Sequence, residues 1–502
     1  MNSAKDSVTY RILLLLWRLY SESFLWRLTT GILSACHNSL LGAVLRKRNP
    51  LTEAWSGSVT CRALTFAVNI PAKLLSLLYG KLERVFDGSI FARFMFRLGT
   101  ESAVAAAWVL TAIMIVPYKH WNNAYSLAGF AVVVLLFIIG GMRHKKLRFE
   151  LSALNPYLVA FAAAAVLAVA FSRYRSLSTR FLGYHLSCML CVLVTVSAVK
   201  DSKQLVRLAG GAALGTLVIA LYGIYQRIQG IEVNPSYVDL TVNAGIPGRI
   251  FSFYDNPNAF AEVLMIMLPM ILALVVCSRR WTGKLAALGV FCIGTAALLM
   301  TYSRASWVGF AVAIVVFVFM WNVRLVPVGA VLCVLFVPLL PQTVLNRIGT
   351  ITNMNDLSTS SRFPLFRAAI KLIKASPIRG AGLGTPAVKQ YITDYNLYSG
   401  RGPFVHAHDI FLQVWAEMGV LGIVSFVTGM VCTIREGIRA VKTKVSAPVR
   451  MVTIGGVSAI CGSLVCGLAD YLWNYPRVMC LFWYMVAVAL AGIKLCKAEA
   501  AK

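Results

Sequence analysis

Two histidines and a set of arginines are the side chains here whose types and spacing could do chemistry. His406 and His408 stand two residues apart in RGPFVHAHDIFLQVWAEMGVLGI, where a loop punctuated by glycine and proline becomes a long apolar run. An imidazole at such a boundary keeps access to water and titrates at about 6.5, so it can take up or release a proton. Arg249, Arg304, Arg362, Arg367 and Arg477 stand beside other apolar runs or in the long segment before His408. A guanidinium stays charged at every relevant pH, and its planar fork matches phosphate oxygens. Fixed cations beside a titratable imidazole suit an anionic, phosphate-bearing ligand.

The elements that must position these residues are membrane spans. Of 502 residues 59% are hydrophobic, and the mean hydropathy is +0.73, against roughly 45–50% apolar in soluble domains. Apolar runs of about 18 residues or more recur, each able to cross ~30 Å of hydrocarbon. The fold class is therefore all-α and polytopic. A β-barrel is excluded, because its strands would be short and alternating. We place twelve spans, at 102–117, 124–142, 153–171, 182–199, 206–225, 258–277, 284–301, 305–322, 325–341, 409–432, 450–468 and 478–495. A large extracytoplasmic loop with amphipathic helices, about 342–408, separates spans nine and ten within a transmembrane domain of residues 98–502. Residues 1–97, with 13 Lys/Arg against 5 Asp/Glu, read as a basic amphipathic region with helices lying in the headgroup plane.

The net charge of +29 would point to nucleic acid in a soluble protein. Here the cations lie in loops between apolar runs, so membrane lipids and an anionic substrate account for them, and nucleic acid is not an expected partner. The CxxC of Cys188 and Cys191 lies inside an apolar run without a second ligand pair, and reads as small core residues rather than a zinc site. No metal and no cofactor is expected. Arg18 and Arg27 interrupt the N-terminal apolar stretch, which argues against a cleavable signal peptide.

Orientation follows from the short loops. GMRHKKLRFE, KDSKQLVR, SRRWTGK, NVR, IREGIRAVKTKVSAPVR and the C-terminal KLCKAEAAK follow the even-numbered spans and are all basic. That side, with both termini, is expected to be cytoplasmic. The opposite face nonetheless carries Arg173, Arg175, Arg180, Arg227, Arg249, Arg304 and Arg477. An anionic ligand is the simplest reason for cations on a translocated face.

Asn256-Pro257-Asn258 reads as a cap followed by proline at the first helical position, with Arg249 just before it. A very short turn around Ser303-Arg304-Ala305 fixes Arg304 at headgroup depth. From Arg362, the residues Leu365, Phe366, Ala369, Leu372 and Ile373 recur at helical spacing. Arg367, Lys371 and Lys374 share another face, and Pro377 stops the helix. GAGLG reads as a sharp turn back to the membrane rather than a phosphate cradle, since no GK[ST] follows it. Leu412 and Trp415 pack on the face of His408, and Glu417 lies roughly 13 Å further along, as a contact between helices. LADYLWNYPRV sets Asp470 and Arg477 among aromatics suited to an interfacial belt or to stacking on sugar rings.

The ordered set TYSRASWVGF, SRFPLFRAAIKLIKASPIRGAGLG and HAHDIFLQVWAEMGVLG resembles the O-antigen ligase family, over roughly residues 245 to 480. The resemblance implies a bacterial inner-membrane glycosyltransferase with its site on the extracytoplasmic face. Its donor would be an undecaprenyl-pyrophosphate-linked glycan, and its acceptor a hydroxyl on a glycan, lipid or polymer. By matching position His408 would be the catalytic histidine, and Arg304 and Arg362 the pyrophosphate-side arginines. Arg249, Asn258, Arg367, Arg477 and His406 would bind substrate, with His406 a rival for the role of base. The family usually has His-Asn where this chain has His408-Asp409, and a carboxylate there would favour protonated imidazole. The outward loops hold single acids (Asp255, Asp356, Asp394, Asp470) but no DxD or ExE pair, so a metal is not required. Two other activities stay open: a polymerase joining lipid-linked repeat units, and a transporter of lipid-linked sugars.

Overall fold

The computed structural model describes residues 22–47, 49–145, 147–234, 245–351, 357–400 and 402–502. Residues 1–21 of the N-terminal region, Arg401, and Asp356 with its neighbours 352–355 lie outside them. No β-strand occurs among the described residues. Nine helices among them are long and apolar enough to cross a membrane, or up to eleven if each of two bent pairs is one span.

The nine correspond to nine of the twelve expected spans: Ala124–Arg143, Arg175–Ala198, Ser202–Gln229, Pro257–Cys277, Trp281–Met300, Arg304–Val331, Ile410–Ala440, Ala447–Cys466 and Pro476–Ala500. The other three take different forms. Ser102–Ile115 is joined to Ile90–Thr100 across a 78° bend. Pro156–Ala170 has 15 residues, started by Asn155, whose side chain accepts from Leu158 N. Over 325–341 no separate long helix appears. A 3-10 turn at Val323–Leu325 follows Arg304–Asn322, then comes Val326–Phe336 of 11 residues. Pro327 stands in the first turn of that helix, where a missing N–H is tolerated, and a 3-10 turn at Val337–Leu339 ends it short of 341.

Pro476–Ala500 is the central helix, with 94% of its apolar window buried inside the protein, against 17% for Arg304–Val331. Around it pack Arg175–Ala198, Ala447–Cys466 and Pro257–Cys277. Arg304–Asn322 crosses Ala447–Cys466 in backbone contact: a Cβ on Gly309 would lie 2.7 Å from Gly462 O, and one on Gly462 would lie 2.5 Å from Gly309 O. Such close approach replaces the hydrophobic driving force that lipid does not supply.

The loops gather at two ends. At one, Glu150 binds Lys200 and Lys494, Lys497 binds Glu436 at 2.6 Å, and Arg435 donates to Lys47 O at 2.6 Å. Short N-terminal helices dock here through Trp55 Nε1 to Leu151 O and the Asn69 amide to Phe149. At the other end lie the loops after Ile115, Ala170, Gln229, Met300 and Cys466, together with the long connection before Ile410.

Candidate active site

The long connection is folded down onto the helix it precedes. Arg362–Ala375 is helical, and its buried Leu365, Ala368, Leu372 and Ile373 pack with Ala381, Val388 and Ala416. Arg367, Lys371 and Lys374 are exposed, as the periodicity predicts. In the glycine-rich turn Gly380, Gly382 and Gly384 all have positive φ, which a side chain would strain. Its N–H groups are committed to the neighbouring helix: Ala381 N to Ala416 O at 2.7 Å, Gly382 N to Glu417 O at 3.0 Å and Gly384 N to Glu417 Oε2 at 3.0 Å. The turn thus returns the chain, and its donors face a carboxylate of the protein itself. Ile410–Ala440 breaks at Gly419 to accommodate it (φ 66°, ψ −165°), and Val420 N bonds Pro377 O at 2.9 Å.

Glu417 accordingly does more than join helices. Its buried carboxylate accepts from Gln413 Nε2, Tyr471 Oη and Gly384 N, so it fixes the glycine turn and the loop after Cys466 against each other. Tyr471 N in turn donates to Asp470 Oδ1 at 2.9 Å.

Asp470 is the partner that sequence reasoning missed. Its Oδ1 lies 3.1 Å from His408 Nδ1. Asp409, the carboxylate next to His408 in sequence, instead caps its helix by accepting from Leu412 N at 2.8 Å. The two acids are told apart only by the fold, since Asp470 comes from a loop 62 residues away. Burial disfavours the Asp470 charge. The hydrogen bond from His408 and the guanidinium charge of Arg362 outweigh burial and hold the carboxyl below its ordinary range.

His406 is buried, and its Nδ1 accepts from His408 N at 3.1 Å, with the two rings 3.9 Å apart. Burial first, then the His408 charge, pushes its pKa down to about 3. A ring that accepts at Nδ1 carries its proton on Nε2 and stays neutral. It holds His408 in a positive-φ backbone (φ 48°) that costs a non-glycine residue conformational energy. Among the described residues the other non-glycine positive-φ positions are Ser252, Tyr302 and Asn396. Ser252 and Tyr302 sit in the loops that carry Arg249 and Arg304.

The arginines divide by what they touch. Arg477 is buried and committed to four backbone carbonyls: Ile113, Phe253, Met114 and Val116. It also stacks over Tyr254 and Trp121, at 4.2 and 4.8 Å. Arg249, also buried, bonds Thr301 O at 2.6 Å and Asn258 Oδ1. Arg304 bonds Thr350 O at 2.7 Å and Thr359 Oγ1 at 3.2 Å, which anchors the segment leading into Arg362. Arg347, not anticipated, is buried with Nε on Tyr302 O. Arg362 differs: half-buried, it has no hydrogen-bond or ion-pair partner among the described residues. Its charge acts on Asp470, His406 and Glu262. Arg249 thus joins Asn258 to the turn before Arg304, Arg304 reaches the segment before Arg362, and Arg362 acts on Asp470 and His406 beside His408. Arg367 is exposed, and Arg477 lies in a separate latch.

His406, His408 and Asp470 offer ligand atoms within 4.8 Å of one another, a spacing a metal ion could span. The guanidinium of Arg362 acts on two of those three groups and opposes a second cation there. The same field favours an anion.

Residues 288–427 match the family model described as O-antigen ligase. Arg304, Arg362, Arg367, His406, His408 and Glu417 fall inside that stretch, while Arg249, Asn258, Asp470 and Arg477 fall outside it. No curated protein matches the chain.

Proposed function

We propose that this member of the O-antigen ligase family, a membrane glycan transferase of the ligase or polymerase type, takes its glycan from an undecaprenyl-pyrophosphate carrier. It attaches that glycan to an acceptor hydroxyl at the extracytoplasmic face of a bacterial inner membrane, with both termini cytoplasmic. The observation that supports this reading is the pairing of His408 with Asp470 beside an uncommitted Arg362.

In this reading Asp470 holds the proton of His408 at Nδ1, which leaves Nε2 free to accept one. The acceptor hydroxyl gives its proton to Nε2 as its oxygen bonds to the anomeric carbon. The bond from that carbon to the pyrophosphate oxygen breaks, and the leaving diphosphate keeps the electron pair. Arg362 meets the growing charge, and Arg304 and Arg249 shape the loops around it. Direct displacement inverts the anomeric centre and needs no metal, because fixed cations carry the leaving-group charge. General-base action of this kind is worth typically about 10²–10⁴-fold. His406 supports His408 rather than replacing it.

The test is transfer by the purified chain from a lipid-pyrophosphate glycan to a panel of acceptors, with and without chelator. His408→Ala, Arg304→Ala and Arg362→Ala should each abolish transfer in correctly inserted protein. Full transfer by all three would end the proposal. A ladder of carrier-linked chains would identify a polymerase, and glycan on a different lipid or polymer a ligase.

A further inference from the structure

The end of the bundle away from His408 holds a second cationic recess. An open cavity of about 430 Å³ lies between the bent pair Val59–Val68 and Ile70–Lys81 and the connection at 148–152. Arg62, Lys73 and Arg148 line it, with hydroxyls of Ser56, Thr65 and Ser152, and no acidic residue among the described residues contributes to its wall. The 49° bend that opens it is pinned at Asn69, whose buried amide bonds Phe149 N and O and Thr65 O. Arg148 is fixed by Gly141 O, Leu147 O and Ser76 Oγ. Arg62 and Lys73 have no ion-pair partner among the described residues, and the Lys73 ammonium rests 4.1 Å above the Phe66 ring.

Beside these cations the helix surface is apolar. Leu77, one turn beyond Lys73 on the same face, is 66% exposed, and its neighbour Leu74 is 61% exposed. A ligand that satisfies both parts carries a phosphate at one end and hydrocarbon at the other. The cavity is far from the histidines. Ser152 of its wall precedes Pro156–Ala170 by four residues, that helix's 15 residues span about 22 Å, and the Ser172–Ala381 bond beyond its far end belongs to the histidine side.

We propose that this recess binds the headgroup phosphate of an anionic glycerophospholipid, with its acyl chains laid along Leu74 and Leu77. Headgroup attraction to paired basic residues at a surface is substantial, and buried hydrocarbon adds to it. The site gives the N-terminal helices a task separate from glycan transfer: they fasten one particular lipid between themselves and the bundle.

The experiment uses the full-length purified chain, with retention of phosphatidylglycerol and of phosphatidylcholine measured by native mass spectrometry. Arg62→Ala/Lys73→Ala should lower phosphatidylglycerol retention about tenfold or more and leave the thermal midpoint unchanged. Lys371→Ala/Lys374→Ala, which removes two exposed cations elsewhere, should retain phosphatidylglycerol as the parent does. Equal retention by the Arg62/Lys73 variant, equal preference for phosphatidylcholine, or equal loss in the Lys371/Lys374 variant would overturn the proposal. Displacement of the lipid by an equal concentration of inorganic phosphate would assign the recess to free phosphate and overturn it as well.

Discussion

The two ends of the bundle hold their cations in different ways. At the end with Glu150 and Glu436, where Arg148 and Arg435 also close backbone carbonyls, lysines meet carboxylates: Lys200 and Lys494 on Glu150, Lys497 on Glu436. These pairs are at least partly open to solvent and contribute little each. At the histidine end, arginines meet backbone carbonyls left bare where helices stop, as Arg477 and Arg249 do. A guanidinium with five N–H groups can close several such carbonyls at once, which an ammonium on a flexible stem does less well. Arginines on a face can therefore reflect the geometry of helix ends as much as an anionic ligand. Arg362, which lacks such partners among the described residues, keeps its charge on Asp470 and His406.

That contrast can be broken by substitution, starting with the largest effect. Arg477→Met strips donors from four carbonyls, and should cost on the order of 3 kcal/mol or more, seen as poor recovery of folded protein and a lowered thermal midpoint. A normal midpoint would show that the latch is dispensable. Asp470→Asn keeps the shape of the loop but loses the charge facing His408. Transfer should fall about 10²-fold, toward the lower end of general-base contributions, with the midpoint little changed.

His406 supplies a pH signature. Its folded pKa of about 3 lies below the ordinary 6.5, so below 6.5 the unfolded chain takes a proton that the folded ring refuses. Stability should decline as pH falls from about 6.5 to about 3. His406→Asn keeps an acceptor for His408 N and should flatten that decline in denaturation curves measured across the window. Lys497→Ala, at the opposite end, should shift stability by no more than about 0.5 kcal/mol.

Much of the fold was legible because hydrocarbon thickness imposes a length on apolar runs, and nine such runs became long helices. Where chain direction changes inside an apolar stretch, hydropathy is blind. It missed the 78° bend before Ser102 and the shortening of the expected span 325–341 to Val326–Phe336, whereas the break at Val323–Leu325 falls where the loop NVR was expected. Arg362–Ala375 could be read because its two faces differ in polarity at helical spacing. The Asp470–His408 bond could not: the neighbouring Asp409 offered a nearer carboxylate, and only the packing of Tyr471 on Glu417 brings the distant loop in. The available signal was a lone acid among aromatics at the start of the last span. Arg477 was visible too, but its type does not reveal whether carbonyls or a ligand will occupy it.

The most direct measurement is the rate of glycan transfer per folded molecule for Arg362→Ala, with the thermal midpoint taken on the same sample. The account predicts a rate lower by about 10²-fold or more at an unchanged midpoint. A parental rate, or a rate that falls only in step with lost folded protein, would contradict it.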